Sequence, residues 1–366
     1  MSLQLVRLFM VLLVSSVLLA GMAAAFSVLG AAGHAASNQF RVPSGTQPAQ
    51  PQMPKPATQV HLTLEYQIPH EDIVTALAFS PDGHLLASTA NNFVRVWDTE
   101  SGHQVGRLSE IVFAPPRPSY EAFEVTSLAF SPNGKIVAEG GTIRGSPPPR
   151  DAGRVMLYDL QTGNPLRSIT VQSYSARVRS VMFSQDGRTI YTAVSDPRVA
   201  SDRLPLGEII ELDTETGVKK GTWKEIDNLI ESAAMSLDGK AIATACSGAI
   251  SFWELSSGEL LRTLKSTPSV PGYSVSFAPA GNLIATCSNP RLGGMGGSLE
   301  FVISVHFWDP QTGQTFRVVV GGPGLDGNVT AVAFSPDGKH LATGSNVKFV
   351  PERKTYKAAL KFWKLQ

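Results

Sequence analysis

Val74-Thr75-Ala76-Leu77-Ala78-Phe79-Ser80-Pro81-Asp82-Gly83-His84-Leu85-Leu86-Ala87-Ser88-Thr89 reads as an apolar run, a polar turn and a second apolar run. Proline presets φ at the second turn position, Asp bonds the neighbouring backbone, and glycine accepts the positive φ that closes a hairpin. The pentapeptide that begins at Phe79 recurs as Phe130-Ser131-Pro132-Asn133-Gly134, Phe183-Ser184-Gln185-Asp186-Gly187, Met235-Ser236-Leu237-Asp238-Gly239, Phe277-Ala278-Pro279-Ala280-Gly281 and Phe334-Ser335-Pro336-Asp337-Gly338. Its successive first residues lie 51, 53, 52, 42 and 57 positions apart, so the chain is built from six copies of one supersecondary unit.

A second landmark follows each turn: Trp97-Asp98, Tyr158-Asp159, Leu212-Asp213, Trp253-Glu254, Trp308-Asp309 and Trp363-Lys364. In the first five repeats it leads into a polar turn ending at Gly102, Gly163, Gly217, Gly258 or Gly313. The first repeat then reads as four short strands, Val74 to Phe79, Leu85 to Thr89, Phe93 to Trp97 and Val105 to Leu108. Val74, Ala76 and Ala78 fall on one face of the first strand and Leu77 and Phe79 on the other, so both faces of each small sheet must be covered. Radial packing of four-stranded blades does this for every sheet and leaves only short edges. The expected fold is all-β, a single β-propeller of about six four-stranded blades.

These residues resemble the WD-repeat β-propeller family from His70 to the C-terminus. His70 stands four residues before Val74, where the family has a Gly-His element, although Pro69 replaces the glycine. Asn91 occupies the place of the family's Asp, and Leu212 and Lys364 break the Trp-Asp pair, so the family's buried hydrogen-bond network is expected to be mostly missing. The resemblance implies protein partners held on a propeller face. The sixth repeat ends at Gln366 after its third strand, while Val60, Leu62, Leu64 and Tyr66 alternate with His61, Thr63 and Glu65 ahead of the first repeat. That N-terminal strand is expected to close the ring.

The 366 residues carry 31 Lys and Arg against 30 Asp and Glu, so no whole-molecule field draws the chain to nucleic acid. Leu8 to Gly33 contains no Asp, Glu, Lys or Arg, and Arg7 stands just ahead of it. Two readings stand for residues 1–33: a signal peptide with an apolar core from Leu8 to Ala20 and cleavage near Ala25, or an anchor helix continuing through Phe26, Val28 and Leu29. In both, the single flanking Arg7 keeps the N-terminus cytoplasmic and sends the remainder across, to a secreted, periplasmic or lumenal position. Residues 34–58, with Pro43, Pro48, Pro51, Pro54 and Pro56, read as a flexible Pro/Gln-rich linker, and 59–366 as the propeller.

In a propeller the second-to-third and fourth-to-first connections share a face, and the long ones here all go there: Thr142 to Gly153, Ser195 to Gly207, Asn289 to Glu300, Asn346 to Lys357 and Ile111 to Phe123. They carry Arg117, Arg144, Arg150, Arg198, Arg203, Arg291, Arg353, Lys354 and Lys357, a candidate basic rim for an acidic protein partner. Variable loops with solvated charge are the plainer reading, since Asp196, Asp202, Glu300 and Glu352 lie among them. The expected function is a monomeric, non-enzymatic interaction scaffold, without cofactor and touching membrane only through its N-terminal segment. The alternative is a ligand-binding, metal-binding or hydrolytic propeller in which Glu71, Asp72, Glu124, Asp227 and Asp326 converge on the axis and hold Ca²⁺. No nucleophile elbow, P-loop or zinc-protease motif occurs. His70 reads as structural, and Cys246 and Cys287 as two small buried hydrophobes.

Overall fold

The computed structural model describes residues 60–70, 73–90, 93–108, 122–144, 152–171, 177–195, 206–226, 228–246, 249–265, 274–287, 304–319, 329–345, 348–350 and 355–366. They belong to one compact unit, Pro54–Gln366, and form six antiparallel sheets. After β1 (Leu62–His70), the first sheet holds β2 (Leu77–Phe79), β3 (Leu85–Ala90), β4 (Phe93–Asp98) and β5 (Gln104–Leu108). The second holds β6 (Ala122–Phe130), β7 (Ile136–Arg144), β8 (Ala152–Asp159) and β9 (Pro165–Val171). The third holds β10 (Arg177–Phe183), β11 (Thr189–Ser195), β12 (Gly207–Asp213) and β13 (Lys219–Ile226). The fourth holds β14 (Ser232–Met235), β15 (Ala241–Cys246), β16 (Ala249–Glu254) and β17 (Leu260–Lys265), and the fifth β18 (Ser274–Phe277), β19 (Ile284–Cys287), β20 (Ser304–Trp308) and β21 (Thr315–Val319). The last sheet runs β22 (Val329–Phe334), β23 (His340–Ser345), β25 (Thr355–Leu365) and then β1, with β24 (Lys348–Val350) paired to β25. Leu62 lies opposite Leu365 and His70 opposite Ala358, so this sheet takes its outer strand from the N-terminal side.

The inner strands meet in cyclic order, β2 with β6, β6 with β10, β10 with β14, β14 with β18, β18 with β22, and β22 with β2. One apolar cluster fills each seam. Ala87, Val94 and Val96 pack on Leu128, Val137 and Tyr158 between the first and second sheets, and Ala331, Leu360 and Phe362 pack on Val74, Leu86 and Trp97 between the sixth and first. Leu86, Val94 and Val137 are fully buried, which is why both faces of each sheet had to be apolar.

The turns are self-contained. Ser80 donates its hydroxyl to Asp82 and accepts the Leu85 amide at 2.9 Å, while the Asp82 carboxylate accepts the His84 amide at 3.1 Å. Ser131, Ser184, Ser236 and Ser335 repeat the relay on the amides of Ile136, Thr189, Ala241 and His340. The fifth repeat has Ala278 and Ala280 instead, yet keeps the backbone bonds from Ala278 to Leu283 and from Gly281 to Ala278 at 2.9 Å. Gly83 sits at φ +77°, a conformation that side chains rarely adopt, and Pro336 of the preceding blade packs over it. Pro81, Pro132 and Pro279 cover Gly134, Gly187 and Gly338 in the same way, making a collar of turn prolines around the axis.

The first inner strand is shorter than its apolar run. The Thr89 hydroxyl takes the amides of Ala76 at 2.8 Å and Thr75 at 3.2 Å, displacing the carbonyl that a regular ladder would use. Two loop expectations are corrected by pairing. Ile143 pairs with Ala152 and Val350 with Thr355, so the Thr142–Gly153 and Asn346–Lys357 connections are partly sheet. Phe123 likewise lies inside β6, opposite Ile143.

Candidate functional site

Antiparallel order puts the pentapeptide turns and the Trp-Asp turns on one face, and the second-to-third and fourth-to-first connections on the other. The turn face is a lattice of fixed carboxylates. Asp213 accepts the amide and hydroxyl of Thr216 and the ammonium of Lys220, which together hold its carboxyl down at about 2. The Ser101 hydroxyl and amide lower Asp98, and the Thr162 amide and hydroxyl lower Asp159. Asp82, Asp186 and Asp238 are lowered first by their own turn serines. The aspartates of both sequence landmarks are therefore turn-building groups.

On the loop face, Arg117, Arg150, Arg198, Arg203, Arg291, Arg353 and Lys354 lie outside the described residues. Arg144 ends β7 opposite Ala122, and Lys357 lies in β25 opposite Lys348, which places both backbones at the loop ends of their strands. Of the five proposed funnel carboxylates, Glu124 is described, in β6 opposite Thr142; Glu71, Asp72, Asp227 and Asp326 lie outside the described residues.

The axis carries a cavity of about 870 Å³, lined from Thr75, Thr126, Arg179, Glu231 and Thr330 at the strand starts to Pro81, Pro132, Gln185, Leu237 and Pro336 at the turns. Register shifts make Thr126, Arg179 and Thr330 the extra residues of β-bulges: Val125 faces Gly141 and Ser127 faces Gly140, with Thr126 between them. A bulge re-aims its side chain. Thr126 uses this to donate to the Val178 carbonyl of the next blade at 2.7 Å, Thr330 donates to Val74, and Thr75 donates to Val125 at 2.9 Å. One residue further on, serines join the blades. Ser127, Ser180, Ser232 and Ser274 accept the amides of Val181 at 3.0 Å, Ala233 at 2.8 Å, Val275 at 3.2 Å and Val332 at 3.2 Å. Sequence reading passed over this ladder, although the alignment of Ser127, Ser180, Ser232 and Ser274 three residues ahead of each pentapeptide was visible.

The buried polar network is fuller than the broken Trp-Asp pairs suggested. Trp97 donates to Ser88 at 2.8 Å, and Trp253, Trp308 and Trp363 donate to Thr244, Thr286 and Thr343 at 2.9 Å. Loss of the aspartate next in sequence leaves the indole untouched, because that carboxylate works in the turn. His70, 3% exposed and 3.4 Å from the Ser88 hydroxyl, completes this arrangement in the first blade and is structural. Cys246 and Cys287 are free and buried, and burial pushes their thiols up to about 11 and about 12, so they act as inert core residues.

Six sandwiched four-stranded sheets around an open axis define a six-bladed β-propeller. The model of the WD domain, G-beta repeat family matches residues 62–98 and 317–346. The first match spans β1 through β4 and the second the end of β21 through β23, so the sequence repeat runs one strand out of step with the blade. With the six-sheet arrangement, these matches support a WD-repeat propeller, a fold that typically serves as a protein-interaction scaffold and is generally non-enzymatic. No curated protein matches the chain.

Proposed function

We propose that this propeller is a non-enzymatic interaction platform displayed outside the cytoplasm, receiving an acidic protein partner on its loop face. The observation that carries the reading is the one-sided growth of that face: β6 to β8 and the β24–β25 hairpin rise there, while every described turn on the other face is trimmed to a few residues. Long connections on a rigid scaffold are where binding residues concentrate. Arg144 and Lys357 at the ends of those hairpins, with Arg117, Arg150, Arg198, Arg203, Arg291, Arg353 and Lys354 in the connecting loops, supply cations that grip carboxylates.

In this reading, residues 1–33 direct export or anchor the chain, 34–58 space the propeller from the membrane, and β1 is the strap that seals the ring. The register from Leu62–Leu365 to His70–Ala358 supports the strap, and the charge-free stretch from Leu8 to Gly33 supports the export. Among the described residues no helix is long and apolar enough to cross a membrane. β1 starts at the turn-side end of the last sheet, where His61 and Gln366 exchange backbone hydrogen bonds. The test is affinity capture from the envelope fraction with wild-type protein and with Arg144, Arg150, Arg353 and Lys354 all changed to Glu. Capture of a specific partner that the charge-reversed protein loses supports the platform; equal capture by both overturns the basic-rim reading.

A further inference from the structure

The outer strands of the sheets share a device that one of them lacks. In β5, β9, β13 and β17, the second residue after the turn glycine lies opposite Trp97, Tyr158, Leu212 or Trp253, and the fourth lies opposite the residue before it. The third is left over as a bulge residue: Val105, Leu166, Lys220 or Leu261. The three apolar ones are 59%, 52% and 58% exposed, as expected of side chains turned out of a ladder. β1 carries its own irregularity at Glu65, between Leu64 and Tyr66. β21 carries none: Trp308 lies opposite Thr315 and Phe307 opposite Phe316, and the register runs unbroken to Ser304 opposite Val319.

Composition sets the same strand apart. Thr315-Phe316-Arg317-Val318-Val319 holds no glycine, proline or lysine, whereas β5 has Gly106, β9 Pro165, β13 Lys219, β17 Lys265 and β1 Pro69. An outermost strand presents a row of backbone N–H and C=O groups that another chain can pair with, and bulges, prolines and lysines are the usual means of spoiling that row. β21 ends its sheet, and among the described residues no strand pairs with its outer edge. It is therefore a flat edge of β-favouring residues, about 17 Å long, on a rim where the other five outer strands are blunted. The single charge at its centre, Arg317, decides what suits it. A second copy of the chain pairing antiparallel over all five residues would set Arg317 against Arg317, and like charges directly opposite are destabilising. A segment with a carboxylate at that place gains a favourable cross-strand pair instead.

We propose that the outer edge of β21 takes up an extended acidic segment of another protein as a fifth, antiparallel strand of its sheet, with a glutamate or aspartate opposite Arg317 and β-branched residues on either side. Backbone pairing holds the segment, and the charge at the centre sets its register and selects it. The edge lies on the rim, between the loop face and the turn face, so this docking uses none of the basic loops and does not rest on the platform reading.

Fluorescence anisotropy with the full-length chain tests it, using two labelled peptides with the cores Thr-Val-Glu-Val-Thr and Thr-Val-Lys-Val-Thr. The glutamate peptide is expected to bind about fivefold or more tightly than the lysine peptide, and Arg317→Glu is expected to reverse that order. Inserting one glycine between Thr315 and Phe316 gives β21 the bulge of its counterparts and is expected to abolish binding of both peptides at unchanged melting temperature. Should the insertion fail to fold, the reversal by Arg317→Glu still decides. Binding of neither peptide, equal affinity for both, an order indifferent to Arg317→Glu, or full binding by a folded insertion variant overturns the proposal. Sedimentation of the chain alone supplies the last outcome: a dimer that the insertion abolishes assigns the edge to a second copy and overturns the acidic segment.

Discussion

Replacing Ser180 by alanine removes the hydroxyl that joins the third blade to the fourth. Ser180 is 4% exposed and accepts the Ala233 amide at 2.8 Å, on an inner strand whose free edge faces the channel. Without the hydroxyl, a buried N–H loses its acceptor, which costs about 1–3 kcal/mol. The longer contacts of Ser232 and Ser274, 3.2 Å each, place their alanine variants toward the lower end of that range. Ser257 is the control: its hydroxyl bonds Glu254 on an exposed turn, and Ser257→Ala is expected to stay within about 0.5 kcal/mol of wild type. The first and sixth blades carry Ala76 and Ala331 at the ladder position, so Ala76→Ser and Ala331→Ser are expected to add about 1 kcal/mol each. Urea unfolding followed by tryptophan fluorescence reads these differences, with the slope of each transition compared to confirm that the folded state is unchanged. If Ser180→Ala unfolds with Ser257→Ala, the ladder contributes nothing and the seams hold by apolar packing alone.

Three further outcomes follow from particular groups. Thr192, fully buried at the position where Ser88 and Thr244 receive an indole, lies opposite Ile210 in the third blade, where Leu212 stands at the tryptophan position, and its hydroxyl has no hydrogen-bond partner, so Thr192→Val is expected to raise stability by about 1 kcal/mol in the same urea assay. A methyl added at Gly344 would stand 2.5 Å from the Val74 side chain at the seam between the last and first blades; Gly344→Ala is expected to cost about 1–3 kcal/mol, and an unchanged midpoint would show that this seam yields freely. The turn-face carboxylates titrate below their ordinary value in the folded state, Asp213 at about 2, so their contribution is complete above about pH 4 and is lost as pH falls toward 2. Melting temperature is expected to hold from pH 7 to pH 5 and to fall between about pH 4 and pH 2, with Asp213→Asn removing part of that dependence.

The turns and blades were legible because their causes are local. Ser80, Asp82, Gly83 and Leu85 satisfy one another within six residues, so the motif means the same thing wherever it stands in the chain. The apolar alternation likewise fixed which faces needed cover, and with it the radial stacking. The indole bond of Trp363 does not depend on the neighbouring Lys364 that breaks the Trp-Asp pair, because a strand sends adjacent side chains to opposite faces.

What the sequence determined by itself is the repeat unit: six turn-bounded sets of short strands, double-sided and therefore ring-forming. Only the tertiary structure decided how the sets meet. The serine ladder joins residues more than forty positions apart, as Ser232 with Val275, and the bulges that aim Thr126 and Arg179 arise from the registers of β6 on β7 and of β10 on β11. Neither periodicity nor turn chemistry encodes those distances, because a bulge is set by which backbone groups find partners once the strands are paired. Arg179 and Glu231, 52 positions apart in sequence, come to line one cavity only in the folded ring.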